Sequence, residues 1–262
     1  MRGLPGLIFY HGTPLGGPSA DKARALQGRH ALIPFTDTRD IGIAAEVCQS
    51  FVLDNGAFSV WKRGEVLDVP GYIAWCYEWH RHPGFDWALI PDVIEGNEDD
   101  NDALLEAWPT DIRGVPVWHM HESIDRLTRL ANEYETVALG SSGHWPTPGE
   151  ANWWNRMADV MEAICDDGGR PPCRLHGLRM LDPDIFTRLP LSSADSVNAG
   201  LNNNRHTRFG MYVPPTAAQR TVVIMDRIEA QSSAPIWIRI NQNGLFEDSA
   251  QRETLWANGA GA

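Results

Sequence analysis

The stretch VPVWHMHESIDRLTRLANEYETVALGSSGH, residues 115–144, places two apolar runs, 115–118 and 136–139, on either side of a segment with Ile124, Leu127, Leu130 and Ala131 at helical spacing. Intervals of three and four residues put those four side chains on one helical face, while the flanking runs are continuous rather than alternating, as in strands buried on both sides. A strand, a helix and a second strand of these lengths imply parallel pairing through a crossover. The runs end on polar groups: His119 and His121 after the first, Gly140, Ser141 and His144 after the second.

The same pattern recurs outward from this stretch. FVLDNG ends on Asp54, WALIPDV on Asp92, CRLHGL on His176 and LSSADSV on Asp195. Eight strand-like runs can be counted, at 7–10, 31–35, 51–53, 87–91, 115–118, 136–139, 174–178 and 191–195. The pattern predicts an α/β fold, a single (β/α)8 TIM barrel spanning 1–257 with a frayed tail at 258–262. In that fold the strand ends share one C-terminal rim, which carries the active site. Thr147, Pro148 and Glu150 read as a capping box that starts a helix with Trp153, Met157, Val160, Met161 and Ile164 on one face. Asp182 and Pro183 open a short helix, 216–230 reads as the closing helix, 249–256 as a further short one, and 198–213 is the extended polar loop over the rim.

Bulk properties agree with one packed barrel. A chain of 262 residues with 43% hydrophobic residues and 11 Trp can bury a sizeable core. Trp75, Trp79, Trp153 and Trp154 are expected to pack between helices, and His11 to be structural. Cys48, Cys76, Cys165 and Cys173 form no C-x-x-C pair, so neither a zinc knuckle nor a disulfide framework is expected. The opening MRGLPGLIFYHG breaks early at Gly and Pro and no apolar run approaches a membrane span, so a soluble, cytoplasmic protein with no membrane partner is expected. A net charge of −12 speaks against a uniformly nucleic-acid-binding surface and leaves room only for a local basic strip, or for an accessory nucleic-acid-binding protein.

The order LDNGAFS, IPDV, PVWHMHES, LGSSG and HGLRMLDPDIFTRLPLSSADS resembles the tRNA-guanine transglycosylase barrel, and is most similar to its phage and bacterial branch, the deazapurine DNA modification protein A family. The resemblance covers 51–196 and rests on order and spacing. It implies exchange of guanine in DNA for a preQ0-like 7-deazaguanine base, in a bacterial or phage-infected cell, with a free deazaguanine base as second substrate and no cofactor or metal. It also implies that Asp195 is the nucleophile, Asp54 the second catalytic carboxylate and Asp92 the reader of the base, with Gly140 and Ser141 where backbone approaches the purine. The tRNA enzymes carry a Cys/His zinc site after the last strand; no such spacing occurs here, which favours a reduced barrel acting on another substrate and leaves DNA or tRNA open as the polymer.

The residues support that chemistry on their own terms. A carboxylate can attack C1′ as the glycosidic bond breaks and later be displaced, and two carboxylates in unlike environments can divide nucleophile and proton-transfer roles. An ionised Asp92 can accept both N–H donors of a guanine edge. Phe58 or Trp118 are candidates to stack on the base, and His119, His121 and His176 to hydrogen-bond substrate or neighbouring carboxylates. Lys62 and Arg63, with Arg205, His206 and Arg208 in the polar loop, are the candidate phosphate contacts. Two alternatives remain open at this stage. One is a metal-dependent hydrolase using His119, His121, His144, His176 and Asp195 as ligands; the other is a catalytically idle barrel that binds a base or a partner.

Overall fold

The computed structural model describes residues 6–201, 203–204 and 209–238. The helix expected at 249–256, the boundary at 257 and the tail beyond it lie outside the described residues, as do Arg205, His206 and Arg208. The strands are β1 (Ile8–Gly12), β2 (His30–Pro34), β3 (Ser50–Asp54), β4 (Phe85–Leu89), β5 (Gly114–Val115), β6 (Val117–His119), β7 (Thr136–Gly140), β8 (Arg174–Gly177) and β9 (Ser193–Ser196). They pair in the order β5-β4-β3-β2-β1-β9-β8-β7-β6, and every pairing is parallel. Helices alternate with them: α1 (Ser19–Leu26), α2 (Ile41–Val47), α3 (Ala57–Arg63), α4 (Val69–Trp79), α5 (Glu98–Glu106), α6 (Ile124–Glu133), α7 (Ala151–Ile164), α8 (Pro183–Phe186), α9 (Asn198–Leu201) and α10 (Ala217–Glu229).

The two ends of this sheet are two parts of one continuous path, so the sheet curls into a nearly closed barrel. Proline has no N–H to give a ladder, and Pro116 splits the expected fifth strand into β5, which pairs with β4, and β6, which pairs with β7. Nine strand segments therefore stand where eight strands were expected. The seam stays hydrogen-bonded through acceptors, with Ile90 N donating to Val115 O and Ala138 N to Pro116 O, both at 2.9 Å.

Strand side chains alternate between two cores. Tyr10, Leu32, Val52, Trp87, Leu89, Val115, Val117 and Ala138 fill the barrel interior. Their neighbours, among them Ile33, Phe51, Leu53, Ala88, Trp118, Val137, Leu139, Leu175 and Ala194, pack outward against the helices. Continuing this period of two along each strand puts Asp54 two residues after Val52, His119 two after Val117 and Gly140 two after Ala138. All three thereby fall in the topmost inner layer.

The helices follow their apolar stripes. Leu127, Leu130 and Ala131 of α6 are buried, as are Trp153, Met157, Val160, Met161 and Ile164 of α7. The start of α7 differs from expectation: Thr147 lies in the preceding loop and Glu150 is the N-cap residue, without a side-chain cap bond. Gly149, at φ 93°, adopts the left-handed conformation and so cannot continue a right-handed helix from Thr147. Asp182 caps α8 by accepting from Asp184 N, and Thr216 caps α10 with Gln219 in a capping box. Glu229 at the end of α10 holds His11 Nε2 at 2.7 Å and Arg29 Nε at 2.9 Å, which ties the last helix to the first strands. The polar segment 198–213 opens with the short helix α9. Among the described residues no helix is long and apolar enough to cross a membrane.

Trp153 joins packing to the rim, since its indole is fully buried and its Nε1 donates to Ser141 Oγ at 2.9 Å, just past β7. Trp153→Ala is expected to cost about 3–5 kcal/mol of unfolding free energy. Trp153→Phe, which keeps most of the packing and loses the hydrogen bond, is expected to cost about 1–3 kcal/mol. Urea denaturation of both variants checks the order; a Trp153→Phe variant as stable as the parent would show that the Ser141 bond contributes nothing.

Candidate active site

The three aspartates meet. Asp54 ends β3, Asp92 follows β4 by three residues, Asp195 lies in β9, and all three line one cavity of about 710 Å3 at the C-terminal end of the barrel. That size falls within the range of small-molecule sites. Phe58, Lys62, His119, Gly140 and Ser141 share its lining. Trp118 does not: it is fully buried, donates from Nε1 to Ser123 O at 2.9 Å, and lies under the Arg156 guanidinium, so it is a packing residue. Arg63 is outside the lining and pairs with Glu65 at 2.8 Å.

Each aspartate has its own donors, and the three environments differ. Asp92 is 8% exposed and accepts from Asn55 Nδ2 at one oxygen and faces His119 Nε2 at the other, both at 2.8 Å. Asn55 is itself fixed by donating to Ile90 O and accepting from Ala57 N. Asp195 accepts from the backbone N–H of Arg179 at 2.9 Å. Among the described residues Asp54 accepts only a backbone bond, from Gly56 at 3.1 Å, the Asx-turn geometry that Asp-Asn-Gly favours. Loss of hydration lifts the Asp54 carboxyl to about 7; the Gly56 bond opposes this, and the charges of Asp195 and Asp92 add to it.

The histidines occupy different depths. His119 lines the cavity and is braced from behind, where its backbone N donates to Glu122 Oε2 at 2.8 Å, and Arg126 and Asn101 hold the same buried carboxylate. Gly140 leaves room for the imidazole, since a Cβ there would stand 2.9 Å from His119 Nδ1. His121 stacks on His119 from outside the cavity and is held by Ser142 Oγ and Gly96 O. His176 lies below the floor, fully buried, with Nδ1 on Ser193 Oγ at 2.9 Å and Nε2 facing Asp195 Oδ1 at 3.4 Å, while His144 is exposed. Among the described residues no three His, Cys, Asp or Glu side chains gather to hold a metal ion, so the ligand set of the metal-hydrolase alternative does not converge.

Arg179 was missed by the sequence reading. It lines the cavity with its guanidinium 4.2 Å from the centre of the Phe58 ring, and its Nη2 donates to Ser141 O at 2.9 Å. Its φ of 60° makes it the one non-glycine residue of the described chain in the left-handed region, a conformation that costs an ordinary side chain about 1–2 kcal/mol. Neither its conformation nor its reach has a signature in HGLRM. Asn55 sits inside LDNGAFS, where Asp-Asn-Gly is a turn signal that does not set its side chain apart.

The raised Asp54 pKa has a stability consequence. Between pH of about 4 and 7 the folded protein keeps a proton at Asp54 that the unfolded chain has lost, so this group lowers stability as pH rises through that window and no further above it. Asp54→Asn is expected to match the parent near pH 4 and to exceed it by on the order of 1–3 kcal/mol at pH 8, measured by urea denaturation at both values. A constant difference across the range would mean that the carboxyl titrates normally.

No protein-family model and no curated protein matches the sequence. A solved structure from Coccidioides immitis, provisionally described as a fructose-1,6-biphosphate aldolase, superposes with a TM-score of 0.51 at 15% identity, covering 86% of this chain and 90% of the other. At that identity the likeness concerns the barrel fold alone.

Proposed function

We propose that this barrel is a nucleic-acid guanine transglycosylase, which exchanges guanine in DNA for a preQ0-like 7-deazaguanine base through a covalent aspartyl intermediate. The observation that carries this reading is the meeting of Asp54, Asp92 and Asp195, from three separate strand ends, around one cavity. The order of these residues resembles that of the transglycosylase barrels.

Roles follow from the three environments. Asp92 faces the cavity with both oxygens already oriented, and each keeps a lone pair for the N1–H and 2-amino donors of guanine. A base without those donors would leave the carboxylate unpaired in a water-poor pocket, which gives strong discrimination. Asp195, oriented by the Arg179 N–H and acceptor-only when ionised, is the nucleophile for C1′. As the new C–O bond forms, the C1′–N9 electron pair leaves with guanine, which takes the proton held by Asp54. The incoming deazaguanine returns a proton to Asp54 as its N9 displaces the Asp195 carboxylate. A carboxyl lifted to about 7 suits this two-way transfer at neutral pH. A target base in duplex DNA would have to be turned out of the stack. With a net charge of −12, an accessory nucleic-acid-binding protein is an expected partner, and tRNA is the second polymer to test.

The test is incubation with DNA, and separately with tRNA, in the presence of labelled guanine or a labelled deazaguanine. Label is expected in DNA, absent with Asp195→Ala and reduced about 10²–10⁴-fold with Asp54→Asn. No incorporation into either polymer, or full activity of Asp195→Ala, would defeat the proposal.

A further inference from the structure

The charged lining of the cavity is uneven. Asp37, Asp54, Asp92, Asp182 and Asp195 carry its negative charge, and the Lys and Arg side chains of the described lining are Lys62 and Arg179. Asp37 pairs with Arg39, Asp182 caps α8, and the other three have the donors described above. Among the described residues neither Lys62 nor Arg179 has a carboxylate within ion-pair distance.

Arg179 is held in place without being used up. Nη2 donates to Ser141 O at 2.9 Å and to Pro146 O at 3.4 Å, and the guanidinium plane lies over Phe58, while Nε and Nη1 bond to no described residue. Removal from water pulls the guanidinium pKa down and outweighs the opposing effect of the Asp195 charge, the sign of a cation only partly compensated by the protein around it. Phe58 and Lys62 are four residues apart on α3, hence on one face, so the ring beneath Arg179 and the ammonium share one side of the mouth. The left-handed backbone of Arg179 is what lets its N–H orient Asp195 while its side chain turns to Phe58. Strain of this kind persists where surroundings over-determine it, typically at ligand clamps.

We propose that Arg179 and Lys62 form an anion subsite beside Phe58 that takes a phosphate ester carried on the sugar of the substrate. The unused Nε–H and Nη1–H groups of Arg179 can each donate to a phosphate oxygen, and Lys62 adds a point charge. The carrier rests on the nucleotide reading of the site, but the subsite itself does not. A phosphodiester of a polymer and a phosphomonoester of a small molecule have this chemistry in common.

Arg179→Gly is the informative variant, because glycine adopts the left-handed conformation freely and retains the N–H that holds Asp195. Binding is measured by calorimetry for inorganic phosphate, deoxyguanosine, deoxyguanosine 5′- and 3′-monophosphates and a guanine-containing single-stranded oligonucleotide. Phosphate on the nucleoside is expected to raise affinity about 10–100-fold. Arg179→Gly should remove most of that gain, read as the ratio of nucleotide to nucleoside affinity so that any general weakening of the site cancels, and Lys62→Gln should remove part of it. A gain confined to the monophosphates identifies a small-molecule phosphate; one present in the oligonucleotide identifies the polymer. If no base exchange is found yet inorganic phosphate binds in an Arg179-dependent way, the transglycosylase reading fails and the subsite stands. If exchange occurs and Arg179→Gly leaves the KM for DNA and the phosphate gain unchanged, or if phosphate never binds, the subsite is refuted.

Discussion

Closure of a parallel sheet is the constraint on which the rest of the molecule depends. Once the strands point the same way and the two ends of the sheet meet at Pro116, all strand C-termini lie on one rim. The alternation of side chains then decides which of them face inward. Val52 to Asp54, Val117 to His119 and Ala138 to Gly140 are each one step of that alternation, from the filled interior to the floor of the cavity. Distances of up to about 140 residues in sequence collapse into one pocket because of a backbone rule, with no local motif required.

Bringing several carboxylates into one poorly hydrated cavity is electrostatically unfavourable, and the structure meets this cost in three ways. Asp92 is given side-chain donors, Asp195 a backbone donor, and Asp54 little more than a turn bond, so that it responds by holding its proton. On the proposed mechanism the same inequality that relieves repulsion separates the chemical roles. Behind this layer the buried Glu122–Arg126 pair, joined by Asn101, keeps the backbone of His119 fixed, and therefore the orientation of its ring toward Asp92.

Much of the scaffold was legible in the chain. Apolar runs located the strands, because strands buried on both faces leave nothing polar to confuse the reading, and the stripe of α7 matched its buried face residue for residue. The failures were local. Pro116 lay inside an apolar run and was read through, although its missing N–H splits the strand. Thr147-Pro148-Gly149-Glu150 spelled a helix start, but the left-handed Gly149 moved that start to Glu150. At the site, strand-end position brought out Asp54, Asp92, His119 and Asp195, and it equally suggested His121, His144 and His176, which the structure puts beside, outside and beneath the cavity. Position along a strand gives the rim; the rotation of a loop side chain about that rim has no sequence signature, and Arg179 is the clearest case.

On the proposed mechanism Asp195 forms a bond to sugar while Asp92 holds the base. The most direct measurement of this is intact-protein and peptide mass spectrometry after acid quenching of the enzyme with a guanine-containing oligonucleotide. A nucleotidyl adduct on Asp195 of the parent chain, absent from Asp195→Ala and scarce in Asp92→Asn, is the predicted result. An adduct on another residue, or none under conditions where base exchange proceeds, would contradict it.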